Sequence, residues 1–190
     1  MEKLLALLNA IILMSPALQE HLRTIIRSRI IKKGTYIQKA GSICTHIWFI
    51  EKGLIRIYHE AANKEVVTWL LKEGDIFIAV DSFFSQKPSS EYIQALEDML
   101  IWGISYEELV ATCLKYIEFN NHKDLIKTKY YELSDKIHKM VTLPEKDRYL
   151  ALMQTQPDLI NRVKLDDLAS YLQMAPKTLS KIRNGLANGK

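Results

Sequence analysis

A chain of 190 residues with 48% hydrophobic and 25% charged side chains has room for one ordinary domain and a smaller second unit. That composition excludes a disordered or fibrous chain. The net charge of +4 is unevenly placed: residues 1–160 hold 20 Lys/Arg and 20 Asp/Glu, whereas residues 161–190 hold 6 and 2. The whole basic excess therefore falls in the last thirty residues, as in a polyanion-binding module appended to a neutral domain, although a solvated basic tail would give the same balance.

Residues 4–14 are apolar except for Asn9, too short to span a bilayer, and preceded by a charge that Glu2 cancels beside Lys3. No small-x-small cleavage pattern follows, so a packed helix is expected rather than a leader, and no membrane partner. Ser15-Pro16 opens a second helix, with Pro at the first helical position, where its missing N–H costs nothing. Cys44 and Cys113 lie far apart and outside any C-x-x-C pair, which argues against a disulfide framework or metal cluster and fits a reducing cytoplasm.

Five of the seven glycines lie between Gly34 and Gly103, and none between Gly103 and Gly185. Within the glycine-containing stretch, short β-branched and aromatic runs at 47–50, 54–58, 66–71, 76–80, 92–96 and 99–104 read as strands. Glu51-Lys52-Gly53 and Ala61-Ala62-Asn63-Lys64 have the composition of hairpin turns, and strands at this spacing suggest a sandwich or jelly roll.

From Ser105 the period changes. Ser105-x-x-Glu108 offers a capping box, and helices are expected from there onward. Phe119, Ile126, Tyr130, Leu133, Ile137 and Met140 recur at intervals of three, four and seven, with Lys123 as an interruption. Such a seam could pack on the β domain or pair with its twin; we read Ile126, Tyr130, Leu133 and Ile137 as a homodimer interface.

Residues 163–184 are the most informative. Leu165, Leu168, Ala169 and Leu172 form the inward face of one helix, Pro176 starts another, and Leu179 and Ile182 form its inward face. Two helices joined by three or four residues match a helix-turn-helix, whose second helix lays polar side chains in the major groove. Lys177, Thr178, Ser180, Lys181 and Arg183 are the residues expected to meet double-stranded DNA.

The run from Leu168 to Arg183 resembles the C-terminal helix-turn-helix of Crp/Fnr regulators, especially a branch common in Bacteroidetes. Gly74-Asp75-Ile76-Phe77 is similar to the strand entry of that family's phosphate-binding cassette, and Phe83-Phe84-x-x-Lys87-Pro88-Ser89-Ser90-Glu91-Tyr92 to the segment that follows it. The resemblance implies an α+β chain in three parts. A cyclic-nucleotide-binding-like jelly roll (double-stranded β-helix) over residues 1–115 precedes a dimerisation helix over 116–141. An all-α helix-turn-helix domain over 142–190 follows. Because the chain stops seven residues after Arg183, the β-hairpin wing of many relatives is expected to be reduced or absent.

The departures carry equal weight. Where the family's cassette has a Glu for the ribose 2′-OH and an Arg for the phosphate, this chain has Ile78-Ala79-Val80 and Ser89-Ser90. Burying a phosphate without its cation leaves uncompensated polar groups, so Ala79, Ser89 and Ser90 mark a degenerate ligand pocket that should not hold cyclic AMP. Ser89 and Ser90 are expected to serve as cap or turn hydroxyls. Two isolated cysteines cannot supply the iron–sulfur cluster of oxygen-sensing relatives. No cofactor is expected, and RNA polymerase and an unidentified small effector remain open as partners.

Two rival readings are a cupin-like metal enzyme and a ligand-binding or interaction module that does not touch DNA. His21, His46, His59, His122 and His138 lack H-x-H or E-x-x-H spacing, and no nucleophile elbow or glycine-rich phosphate loop occurs, so neither catalytic nor metal-binding residues are expected. The basic second helix argues against the second rival.

Overall fold

The computed structural model describes every residue except Ile12 and Lys190; for Ile11, residues 121–127, Lys129, Glu132, Leu133 and Lys136 it describes the backbone alone. Two helices, α1 (Glu2–Ile11) and α2 (Pro16–Ile25), precede eight strands: β1 (Arg27–Ile31), β2 (Tyr36–Gln38), β3 (His46–Lys52), β4 (Ile55–Ala61), β5 (Lys64–Leu71), β6 (Ile76–Phe77), β7 (Glu91–Ala95) and β8 (Met99–Ser105). A short helix α3 (Val80–Ser85) lies between β6 and β7. Beyond β8 come α4 (Tyr106–Lys115), a 3₁₀ turn (Ile117–Phe119), α5 (Asn120–Val141), α6 (Glu145–Thr155), α7 (Leu159–Arg162), α8 (Leu165–Tyr171) and α9 (Pro176–Ala187).

The strands form two four-stranded sheets, ordered β1-β8-β3-β6 and β2-β7-β4-β5, the two-sheet arrangement expected of a jelly roll. By compactness the chain divides into two units, Met1–Ile57 with Leu71–Lys129, and Tyr58–Leu70 with Tyr130–Lys190.

In the first unit, the apolar lead-in is a packed helix with Leu4, Leu5 and Leu8 buried. The Ser15 hydroxyl accepts the Leu18 N–H at 3.2 Å to cap α2, and Leu18 and Leu22 turn inward. Ser105 and Glu108 exchange the two bonds of a capping box at the start of α4. Gly74 has φ 91°, and the Asp75 carboxylate accepts the Lys72 N–H at 2.9 Å. The Gly-Asp pair is thus a turn that delivers β6.

Two expectations need correction. The run 76–80 is a strand only at Ile76–Phe77, because the chain turns into α3 at Val80. Phe119 lies in the 3₁₀ turn before α5 and is buried in the first unit, so it does not begin a seam on that helix. Beyond these, β1, β2 and α3 are elements that the hydrophobic pattern does not single out.

Strand β8 runs between β1 and β3, with Gly103 opposite both Arg27 and Trp48. A Cβ at Gly103 would lie 2.2 Å from the Trp48 ring, so only glycine lets the indole lie across β8. Gly103→Ala should force the ring or the strand aside and lower unfolding free energy by about 1–3 kcal/mol, the usual cost of overpacking. A urea midpoint equal to that of the parent chain would contradict this.

In the second unit, the β4–β5 hairpin turns at Ala62 and Asn63, whose φ values of 49° and 61° are those of a primed turn. Strand β5 is at a sheet edge. The Ser170 hydroxyl on α8 occupies that edge, accepting the Val67 N–H at 2.9 Å and donating to the Glu65 carbonyl at 3.3 Å. Leu152, Leu159, Leu168, Ala169, Leu172 and Leu179 are the helical core.

Candidate nucleic-acid interface and the β-roll cassette

Helix α8 and helix α9 approach each other over Ala169, whose side chain is fully buried beside Leu168 and Leu179. A larger residue at 169 would push the helices apart. The turn between them is tight: the Met174 N–H donates to the Ala169 carbonyl at 3.0 Å and the Gln173 N–H to the Ser170 carbonyl at 2.9 Å. Closing it requires a left-handed residue, and Gln173 supplies it with φ 51°.

The carbonyls of the turn itself face away from α8 and need partners of their own. Arg148, from α6, donates through Nη1 to the carbonyls of Leu172 at 3.0 Å and Gln173 at 2.9 Å, and through Nε to that of Leu143 at 2.8 Å. One guanidinium therefore fastens the turn to the start of the preceding helix.

Pro176 opens α9, as its missing N–H allows. Leu179 is fully buried, with Ile182 and Leu186 half-buried on the same face at the intervals of one helical stripe. Opposite them, Lys177, Lys181 and Asn184 are exposed at spacings of four and three. The two ammonium groups thus share one outward face. Thr178, Ser180 and Arg183 are half-buried at its margins. Sequence reasoning missed Asn184, although it continues the stripe, and missed Arg148 and Gln173, which act through the turn.

On α5, Tyr130 is half-buried, its ring 5.4 Å from that of Trp69, and Ile137 is also half-buried. The side chains of Ile126 and Leu133 lie outside the described residues.

In the β-roll, Ala79 is 1% exposed and precedes α3 without contributing a side-chain cap. Ser82 on α3 accepts the Cys44 N–H at 2.9 Å and donates to the Lys87 carbonyl, tying both ends of the segment. The Ser89 hydroxyl accepts the Glu91 N–H at 2.9 Å, the role of a turn residue, while Ser90 is exposed. Burial raises the pKa of the Glu91 carboxyl, and the charge of Asp81 raises it further. Carboxylates thus stand beside the two serines. Burial also raises the Cys44 thiol, a structural rather than reactive setting, and both cysteines are free.

Among the described residues, no group of three or more His, Cys, Asp or Glu could hold a metal ion, and no helix is long and apolar enough to cross a membrane.

Residues 28–116, nearly the whole β-roll, match the family model of the cyclic nucleotide-binding domain. No curated protein matches the chain. Solved structures share its fold across almost its full length. FixK2 from Bradyrhizobium japonicum superposes with a TM-score of 0.75 at 11% identity, over 87% of this chain and 86% of that one. The c-di-GMP responsive global regulator CLP of Xanthomonas campestris gives 0.71 at 15%, over 92% and 93%. The catabolite activator protein of Thermus thermophilus gives 0.56 at 16%, over 93% and 85%. The chain is therefore a cyclic-nucleotide-binding-type jelly roll followed by helices, in the architecture of these proteins.

Arg148→Met should strip hydrogen bonds from three carbonyls while keeping the aliphatic stem. The expected loss is about 1–3 kcal/mol of unfolding free energy, measured by urea denaturation. An unchanged midpoint would show that Arg148 does not hold the turn.

Proposed function

We propose that the protein is a homodimeric DNA-binding transcription regulator of the Crp/Fnr kind, working in the cytoplasm, whose cassette does not take cyclic nucleotides. The observation that carries this reading is the face of α9, where Lys177, Lys181 and Asn184 stand exposed on the second helix of a helix-turn-helix. A shared fold with FixK2 and CLP supports it. So does the concentration of the basic excess in the last thirty residues.

Two copies joined along α5, with Ile126, Tyr130, Leu133 and Ile137 as the seam, would present two recognition helices about 34 Å apart, matching successive major grooves and a pseudo-palindromic site. Within each half-site, Lys177 and Lys181 face the groove and Asn184 extends the same stripe. Thr178 and Ser180 contact bases or phosphates, and Arg183, at the margin, contacts the backbone.

The cyclic-nucleotide part rests on Ala79 in place of an acidic anchor, Ser89 engaged in its turn, and Asp81 with Glu91 where a phosphate would need cations. Calorimetry with millimolar cyclic AMP or cyclic GMP should show no specific binding; a micromolar dissociation constant would overturn this part.

DNA reading is tested by two variants with opposite signatures. Lys177→Ala should cost about 1–3 kcal/mol on the preferred operator and relax base choice at one position of each half-site. Arg183→Ala should weaken all duplexes alike and lower the salt slope by about 0.9 for each phosphate that the protein no longer neutralises. Binding isotherms on specific and scrambled duplexes at several salt concentrations separate them. If neither substitution changes binding to either duplex, α9 is not the reader.

A further inference from the structure

We infer that the β-roll holds a binding site for a small organic monocarboxylate, built on Arg29 and Trp48; it borders the cassette at Ile78, and Ala79, Ser89 and Ser90 are not among its lining residues. The site begins with the glycine on β8. With no Cβ at Gly103, the Trp48 indole lies across that strand toward β1, and the Arg29 guanidinium sits 5.0 Å from its ring centroid. The His46 ring stacks on the same indole, with centroids 4.9 Å apart and planes 11° from parallel.

Arg29 has no hydrogen-bond acceptor and no ion pair among the described residues, in contrast to Arg56, which donates to Gln94 at 3.0 Å. It borders a cavity of about 160 Å³ inside the roll. Gln38, Thr45 and His46 give this cavity polar walls, while Ile78 and Ile93 give it apolar ones. A cation held by an aromatic face, with its donors unspent and a partly polar cavity beside it, is the arrangement that receives an anion.

Charge and size narrow the class. Burial lowers the pKa of His46, and the charge of Arg29 lowers it further against the weaker opposing pull of Glu108 and Glu107, so the imidazole is neutral near pH 7. Among the described residues that line the cavity, that leaves Arg29 to carry the positive charge, a match for a single negative charge. Thr45 Oγ1 lies 2.9 Å from His46 Nδ1; where the hydroxyl donates, Nε2 carries the hydrogen and is a further donor. The planar guanidinium fork pairs with a planar carboxylate through two parallel bonds, and the isoleucine walls suit a few methylene groups. At about 160 Å³ the cavity is smaller than the roughly 300–1,000 Å³ pockets of drug-sized ligands and suits a chain of a few carbons.

The test is isothermal titration calorimetry of the full chain with butyrate, run beside inorganic phosphate. Butyrate should bind saturably, one per chain, and more tightly than phosphate. Arg29→Gln should weaken it by about tenfold or more, the loss of a charge-assisted pair, with the thermal unfolding midpoint little changed because Arg29 is exposed. Arg29→Lys, which keeps the charge but not the fork, should fall between the two. Absence of saturable heat with butyrate, phosphate binding as tightly as butyrate, or equal affinity in Arg29→Gln would each overturn the inference. No DNA enters the experiment, so its failure would leave the DNA-binding reading untouched.

Discussion

The helix-turn-helix depends on how one turn is closed. Helices α8 and α9 can meet only because Ala169 is small and fully buried, and the chain between them closes only because Gln173 accepts a left-handed backbone. That geometry aims the end of α8 at nothing in its own helix. Arg148 fills the gap by donating to the carbonyls of Leu172 and Gln173 in the turn and to that of Leu143. A guanidinium suits this task because its planar donors reach several acceptors at once. The outward direction of Lys177 and Lys181 follows from the closed turn, since Leu179 is fixed in the core on the other side of the same helix.

The β-roll shows the same economy of position with a different outcome. Its Gly74-Asp75 turn and α3 lie within residues 28–116, which match the family model of the cyclic nucleotide-binding domain. Ala79 is buried, the Ser89 hydroxyl is spent on its own turn, and the Asp81 and Glu91 carboxylates repel each other nearby. Arg29, without an acceptor or ion pair among the described residues, lies on β1, in the same sheet as β6, and against Trp48. The roll's architecture and its ligand chemistry are thus separable, one set by turns and sheet register and the other by a few side chains.

Much of this was legible in the sequence wherever the signal was local. Ser15-Pro16 and the Ser105/Glu108 box mark helix starts because a cap is made by residues three apart. The strands β3, β4, β5, β7 and β8 follow from runs of branched and aromatic residues, and Leu168, Ala169 and Leu179 mark the helix-turn-helix core by their spacing. What escaped was long-range or short. Strand β1 is exposed at Arg27, Ser28, Arg29 and Ile30 and shows no alternation, and β2 is three residues long. Helix α3 hides in an apolar run that reads equally as strand. Arg148 is 24 residues from its acceptor at Leu172, so its role exists only in three dimensions. The Arg29–Trp48 pair likewise needs the sheet order, with Gly103 between, before it can be seen.

DNA reading by α9 is tested most directly by selection from a pool of random DNA duplexes with the purified full chain at moderate salt, followed by sequencing of the retained fraction. Two basic recognition helices on a symmetric dimer should enrich a two-fold symmetric motif whose half-sites are centred about 10 base pairs apart. Retention without enrichment, or no retention of duplex DNA at all, would contradict the claim that α9 reads DNA.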